Sequence, residues 1–304
     1  EEMRTLRQDL TFDGAAAAFK RYKVAFSEDK FIALGLRNIH DDQYTNLALI
    51  LSDQCPYTTK IAVFGDRENV TFKDAKEFGG SIFKQLDDSY DYLALCNRTA
   101  SVFKGLERVD KPDYPEEAIR EALLNALVHR DYSFSGSVII NVNDECMEFI
   151  SLGGLLPGLS AEDIRSGISQ PRNRKLAEIF HRLRLIESYG TGIRKIYALY
   201  KDCPTQPRIE VTHNTFKLIL PNMNASSVEA ADQKMEANLN ASTITPQMKT
   251  VLDYLAEYDE ISDEELQELL NIKKTRAYLL ARQMHENGLI EIIGRGAGKK
   301  YRLK

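Results

Sequence analysis

The stretch REALLNALVHRDYS, Arg120 to Ser133, decides how the rest of the chain is read. Ile119, Leu123, Leu124 and Leu127 recur at helical spacing and give the segment an apolar face. Glu121, Asn125 and His129 stand at i, i+4 and i+8, so a carboxylate, an amide and an imidazole share a second, polar stripe. An amide oxygen one helical turn from a carboxylate can coordinate Mg²⁺, while the carboxylate orients or deprotonates a water. His129 is expected to cap the helix C-terminus as a partly protonated imidazole, which the helix dipole favours. Arg130 is expected to pair with Asp131 or a neighbouring acid.

Downstream lie two glycine clusters. SLGGLLPG holds Gly153, Gly154 and Gly158 at the end of an expected strand, and ESYGTGIRKI holds Gly190, Thr191 and Gly192 just before an expected helix. Glycines at such junctions let backbone N–H groups approach an anion, which the positive end of the helix dipole favours. Each signal is weak alone, because most strand–helix glycines are simply turns. The HRD triplet suggests a kinase catalytic loop, but the position five residues after Asp131 is Gly136 rather than Asn.

Around this centre the pattern predicts an α/β unit. AAAAFKRYKVAF (15–26) reads as helix, and NLALILSD (46–53) and KIAVFGD (60–66) read as buried strands. A long helix is expected through 77–97, a strand in 101–109, and a hairpin of 136–143 with 146–152 around Asn143-Asp144-Glu145. Two helices and the strand TFKLILP (215–221) close the unit. Residues 223–245 are poor in large apolar side chains and read as a linker. Arg172 and Asn173 could begin a segment lidding the stripe; the alternative is Asn173 as a plain N-cap.

The last segment, 246–304, reads as three helices followed by a β-hairpin. Pro246 starts the first helix, Ser262 and Glu265 form a capping box on the second, and Gly288 ends the third. This is the order of a winged helix, a helix-turn-helix variant whose third helix enters the major groove. From Ile244 to Ile272 there is one Lys against eight Asp or Glu, a net of −7; from Lys273 to Lys304 the net is +7. Positive charge gathers where phosphates would lie. Lys273, Lys274, Thr275 and Arg276 are candidates for base-edge contacts. Arg282, Arg295, Lys299 and Lys300 are candidates for the DNA backbone. Protein contact, or a merely solvated basic face, remain open. GRGAGKK (294–300) is not a phosphate loop, since Ile293 and Lys300 stand where that motif needs Gly and Ser or Thr.

The whole-chain balance is ordinary: 304 residues, 43% hydrophobic, 28% charged, net charge −5. That allows about two domains of ~100–200 residues each and gives no whole-chain sign of a nucleic-acid or membrane partner. No apolar run approaches the roughly 20 residues needed to span a bilayer. Cys55, Cys96, Cys146 and Cys203 are scattered without metal-ligand spacing, which fits reduced thiols in a cytoplasmic protein.

Helix with E-x-x-x-N, strand ending in glycines, then a Gly-x-Gly helix start: this order resembles the ATP-binding fold shared by gyrase, histidine kinases and MutL. YPEEAIREALLNALVHRDYS, GGLLPGLSAEDI, SQPRNRKLAEIF and IESYGTGIRKI resemble more closely the bacterial RecG-related transcriptional regulators. The resemblance implies a two-layer α/β sandwich of the gyrase/histidine-kinase type over 13–222, with a mixed front region 13–75 and a core 76–222. A linker, 223–245, and a winged helix-turn-helix domain, 246–304, follow. In that family an Alba-type (Schlafen-like) domain precedes, so residues 1–12 read as the remnant of such a domain. The resemblance casts Glu121 as the base that activates water and Asn125 as the Mg²⁺ ligand. It places Gly153 and Gly154 beside the adenine of ATP and Gly190, Thr191 and Gly192 at its phosphates. Three positions depart from the wider pattern: Ser151 replaces the adenine-binding Asp, Leu155 a glycine of the first box, and Arg194 the last glycine of the second. Weak, altered or lost nucleotide binding is therefore one expectation. The combined reading is a cytoplasmic, homodimeric DNA-binding regulator carrying an ATP-binding-type module. The alternatives are a Mg²⁺-dependent ATPase serving DNA transactions and an interaction module without activity. A motor helicase is not expected, because Walker and DEAD-type motifs are missing from the sequence.

Overall fold

The computed structural model describes residues 1–187, 190–225, 246–270, 272–286, 288–294 and 299–303. The chain divides into two compact units, Glu1–Ser226 and Ser227–Lys304. The N-terminal unit is mixed α/β, built on one six-stranded mixed sheet.

Helix α1 (Asp13–Arg21) buries Ala15, Ala18 and Phe19 and stops at Arg21, short of the expected Phe26. Two residues on, Lys23 has φ +58°, a conformation that cannot continue a helix. The stretch expected as a strand at 46–53 is instead helix α2 (Asn46–Leu51). Thr45 caps it, its Oγ1 accepting from Ala48 N at 3.3 Å. A short all-apolar run carries no period to separate strand from helix, and here the cap decides.

Strand β1 (Thr59–Phe64) pairs antiparallel with β2 (Phe72–Phe78), an edge strand the sequence reading missed. The helix expected from residue 77 consequently starts later, as α3 (Ile82–Cys96), after Gly80 at φ +82° and with Ser81 as N-cap. The single strand expected at 101–109 is a two-stranded ribbon, β3 (Thr99–Lys104) with β4 (Glu107–Pro112), turning at Gly105.

Helix α4 (Glu116–Val128) carries the polar stripe. Strands β5 (Val138–Val142) and β6 (Cys146–Leu152) form the expected antiparallel pair. Three helices follow: α5 (Ala161–Ser166), α6 (Arg174–Arg182) and α7 (Thr191–Leu199). Strands β7 (Arg208–Val211) and β8 (Thr215–Pro221) end the unit; only β8 was expected.

The sheet order is β2-β1-β5-β6-β8-β7, and β1–β5 is its one parallel pair. A parallel neighbour demands a crossover, and the chain between β1 and β5 supplies it with α3 and α4. Along β6 burial alternates, so Met147, Phe149 and Ser151 face inward. On the opposite face Glu148 accepts from Asn141 at 3.0 Å, Asn69 at 3.2 Å and Lys217 at 3.3 Å. One sheet face is thus apolar beneath helices and the other carries polar pairs, the two-sided character of a half-covered sheet.

The C-terminal unit runs α8 (Pro246–Glu257), β9 (Ile261–Ser262), α9 (Asp263–Leu270), α10 (Lys274–Glu286), β10 (Ile290–Ile293) and β11 (Lys300–Leu303). Its strands form an antiparallel sheet in the order β10-β11-β9; β9 was not expected. Ser262 and Glu265 form the capping box of α9, with bonds of 2.8 and 3.3 Å. Met248, Val251, Leu255, Leu266, Ala281 and Tyr301 are buried in its separate core. The expected linker lies almost wholly outside the described residues.

Candidate functional site

Helix α4 is fixed by burial on most of its circumference. Ala118, Ile119, Ala122, Leu123, Leu124, Ala126, Leu127 and Val128 are all buried, leaving a narrow strip free. Glu121, Asn125 and His129 occupy that strip, and all three line one cavity of about 660 Å³. Gly153, Gly154, Gly190, Thr191 and Gly192 line the same cavity. Ser151 does not: it is 2% exposed, on the inward face of β6, and absent from the cavity wall. Leu155 is on the wall, whereas Arg194 packs away from it against Gly167, where an added Cβ would lie 2.3 Å from the guanidinium carbon.

Glu121 is held by Arg120, whose Nη1 donates to Glu121 Oε1 at 2.6 Å while Nη2 donates to Leu185 O at 2.5 Å. Burial pushes the Glu121 carboxyl above the usual carboxylate range, and Arg120 and Lys195 pull the other way. Asn125 Nδ2 donates to Glu121 O at 2.7 Å, which fixes the amide and leaves Oδ1 without a protein donor among the described residues. At the second glycine cluster, a Cβ on Gly192 would fall 2.7 Å from Glu121 Oε2 and 3.5 Å from Asn125 Nδ2. Gly190 has φ +64°, and a Cβ there would fall 2.0 Å from Gly167 O. Beside it Glu187 accepts from Thr191 Oγ1 and Lys195 Nζ, each at 2.7 Å.

The first glycine cluster sits at the other end of α4. Gly153 has φ +99°, and a Cβ there would lie 2.8 Å from Asp131 Cβ; one on Gly154 would lie 2.4 Å from Thr212 O. Arg172 ties this end together, donating to Asp131 Oδ2 at 3.1 Å and to Gly154 O at 2.8 Å.

Three expectations for the end of the helix are corrected. His129 is the C-cap residue but not a cation: burial first, and then the Arg172 charge, lower its pKa to about 4. Arg130 does not pair with Asp131. It is 1% exposed, lies between the rings of Tyr57 and Tyr132 at 4.5 and 4.7 Å, and donates to Phe134 O at 2.8 Å and to Gly136 O. Asn173 precedes α6 without capping it by its side chain. Its Nδ2 donates instead to Val128 O at 2.9 Å and Arg130 O at 2.7 Å, closing the C-terminus of α4.

Apart from Arg172, the sequence reading missed the cations. Arg120, Arg172, Arg174, Arg182, Arg184 and Lys195 line the cavity against Glu121, Glu178 and Glu187 as its acids. Arg120, Arg172, Arg174 and Lys195 are ion-paired with Glu121, Asp131, Glu178 and Glu187, so Arg182 and Arg184 carry the excess positive charge, which favours an anion. Among the described residues there is no cluster of three or more His, Cys, Asp or Glu that could hold a metal by itself. Any hard cation here would need ligand oxygens from its own anion or water, as Mg²⁺ at phosphates does. Asn125 Oδ1, left without a protein donor among the described residues, suits that role.

In the C-terminal unit Lys273, Lys274, Arg276 and Arg282 are exposed. Lys299 Nζ lies over the rings of Tyr278 and Tyr301, at 5.0 and 4.8 Å. Lys300 is drawn to the acidic side, pairing with Glu260 at 2.8 Å. Arg295 and the Thr275 side chain lie outside the described residues. All four cysteines are free thiols, and no described helix is long and apolar enough to cross a membrane.

Residues 136–220, from just before β5 into β8, match the family described as "Putative ATP-dependent DNA helicase recG C-terminal". An ATPase-like region of that type is therefore present, and it contains both glycine clusters but not Glu121 or Asn125. Among solved structures, the chain is similar to the DIP2311 protein from Corynebacterium diphtheriae, at 19% identity and a TM-score of 0.63. The match covers 99% of this chain and 63% of that one, and at this identity it speaks to fold alone. No curated protein matches the chain.

Proposed function

We propose that this chain is a nucleotide-binding regulator that acts on DNA. The observation that carries the reading is the single cavity in which Glu121, Asn125 and both glycine clusters converge under an excess of arginine and lysine. Polyphosphate would lie at the Glu121 end. There the N-terminus of α7 presents its N–H groups, Gly192 keeps the approach clear, and Lys195 and Arg120, paired with Glu187 and Glu121, lie close by. Asn125 Oδ1 would hold a Mg²⁺ ion, which neutralises phosphate charge when bound. Glu121 is within the cavity to orient a water and accept its proton, and its raised pKa keeps it basic enough for that work.

We read the C-terminal unit as a winged helix. Its order of helix, short strand, two helices and antiparallel pair supports this, as does the basic start of α10. It would contact duplex DNA through Lys273, Lys274, Arg276 and Lys299, as a homodimer on paired half-sites. Nucleotide occupancy would then alter DNA affinity. Sustained Mg²⁺-dependent ATP hydrolysis in DNA transactions is the second reading, favoured by the position of Glu121 in the cavity.

Calorimetric titration tests the first step. Mg·ATP should bind the intact chain, and Asn125→Ala should weaken the Mg²⁺-dependent part of that binding. An absence of heat with any Mg·nucleoside triphosphate would overturn the assignment. DNA affinity unchanged by saturating nucleotide would overturn the regulatory half alone.

A further inference from the structure

The two ends of the cavity differ in chemistry. One holds Glu121, Asn125, Arg120 and Lys195. The other, next to Gly153, has Val128 and Phe216 on its wall and is bounded by Arg172, which is tied to Asp131 and Gly154 O. Glu121 and His129 are eight residues apart on one face of α4, about 12 Å at the rise of a helix, on the order of the span from a base to its terminal phosphates. Phosphate belongs at the N-terminus of α7, beside Glu121, so a flat heterocycle belongs at the Gly153 end.

Ser151, the sequence candidate for reading the base, is off the cavity wall. His129 is on it, at the Gly153 end, beside the turn where Asp131 N donates to Leu152 O at 2.8 Å. Neither ring nitrogen of His129 has a hydrogen-bond partner among the described residues. A polar ring facing a cavity without a partner leaves its hydrogen-bonding capacity to a ligand.

We propose that His129 is the residue that reads the base edge, and that the cavity accepts both 6-amino and 6-oxo purine nucleotides. This rests on the nucleotide-binding reading above. A carboxylate only accepts, so it selects the 6-amino group and repels a 6-oxo group. A neutral imidazole offers a lone pair or an N–H according to tautomer, so it pairs with either. With a pKa of about 4, His129 is neutral across the physiological range.

The test compares Mg·ATP with Mg·ITP, which differ at ring position 6, by calorimetry on the full chain. Wild type should bind both within about tenfold of each other. His129→Ala should weaken both by about tenfold, the cost of one lost hydrogen bond. His129→Asp should shift the ratio toward ATP by about tenfold or more, whereas His129→Gln, whose amide donates and accepts, should keep the wild-type ratio. A ratio that a folded His129→Asp leaves unmoved, or a wild-type preference beyond about a hundredfold, overturns the inference while leaving nucleotide binding intact. If His129→Asp fails to fold, unchanged affinities in His129→Ala overturn it equally. Wild type binding neither nucleotide removes both readings together.

Discussion

Gly192 stands where any side chain would press on Glu121: a Cβ at this position would lie 2.7 Å from Oε2. The obstacle is the tip of a side chain rather than backbone, and Gly192 lies in the first turn of α7 with ordinary backbone geometry. Gly192→Ala should therefore fold and lose little stability, because alanine favours a helix by up to about 1 kcal/mol. The displaced carboxylate should cut any hydrolysis roughly 10–100-fold. Gly190→Ala is the contrasting case. Its φ of +64° and the 2.0 Å approach to Gly167 O should cost about 1–3 kcal/mol. Urea denaturation and phosphate release on both variants check the contrast; a strongly destabilised Gly192→Ala would contradict it.

A raised Glu121 pKa has a direct kinetic consequence. A general base works only when deprotonated, so hydrolysis should fall as pH drops through a pKa above the usual 4.5. Glu121→Gln should abolish turnover, spare Mg·ATP binding and not lower stability, since it removes a charge that burial disfavours. A pH–rate profile whose acid limb survives in Glu121→Gln would show that another group is responsible.

His129 makes the opposite sign visible in folding. Its pKa falls from 6.5 to about 4 in the folded chain, so protons bind the unfolded state first. The associated stability is fully present above pH 6.5 and is lost as pH falls toward 4, by about 3 kcal/mol in total. His129→Gln should lose less stability than wild type between pH 7 and 4.5, as measured by denaturant midpoints. Parallel curves for the two proteins would remove the buried neutral imidazole.

These relationships were unequally legible in the sequence. The spacing of Glu121, Asn125 and His129 is local and helical, so their common face is plain from the residues. The glycine clusters are also visible, but that they approach opposite ends of α4 depends on β6 and α7 packing against that helix. The cations could not be gathered in advance. Arg120, Arg172, Arg184 and Lys195 come from separate segments and meet only around the cavity. Ser151 shows the limit of pattern alignment, because strand alternation turns it under the helices with Met147 and Phe149. Residues 46–51 and 99–112 differ from the sequence expectation for local reasons. The first is a short apolar run without a period, in which the Thr45 cap selects helix, and the second is a hairpin whose turn falls at Gly105 inside an otherwise strand-like run.

Asn173 acts across elements, and its loss should be felt as folding energy. Its Nδ2 closes two carbonyls at the end of α4, and the residue is 6% exposed. Asn173→Ala leaves those acceptors short of a donor in a dry site, at a cost of about 1–3 kcal/mol. Because Val128 and Arg130 flank His129, the same variant should weaken nucleotide binding without altering the ATP-to-ITP ratio. A stability change below about 0.5 kcal/mol, the range of ordinary surface substitutions, would show that water replaces the amide without penalty.

The C-terminal unit offers a test that separates its lysines. Lys274 is exposed at the start of α10, whereas Lys300 is already paired with Glu260 at 2.8 Å. If the unit neutralises phosphates through about four or five cations, log affinity for duplex DNA should fall against log salt with a slope of about −4. Lys274→Ala should reduce that slope by about 1. Lys300→Ala should change it less, because its charge is offset by a carboxylate before DNA arrives. Fluorescence anisotropy across a salt series measures both. Equal slopes for wild type and Lys274→Ala, or DNA binding insensitive to salt, would turn the basic face of α10 from a DNA contact into a solvated surface or a protein-binding one.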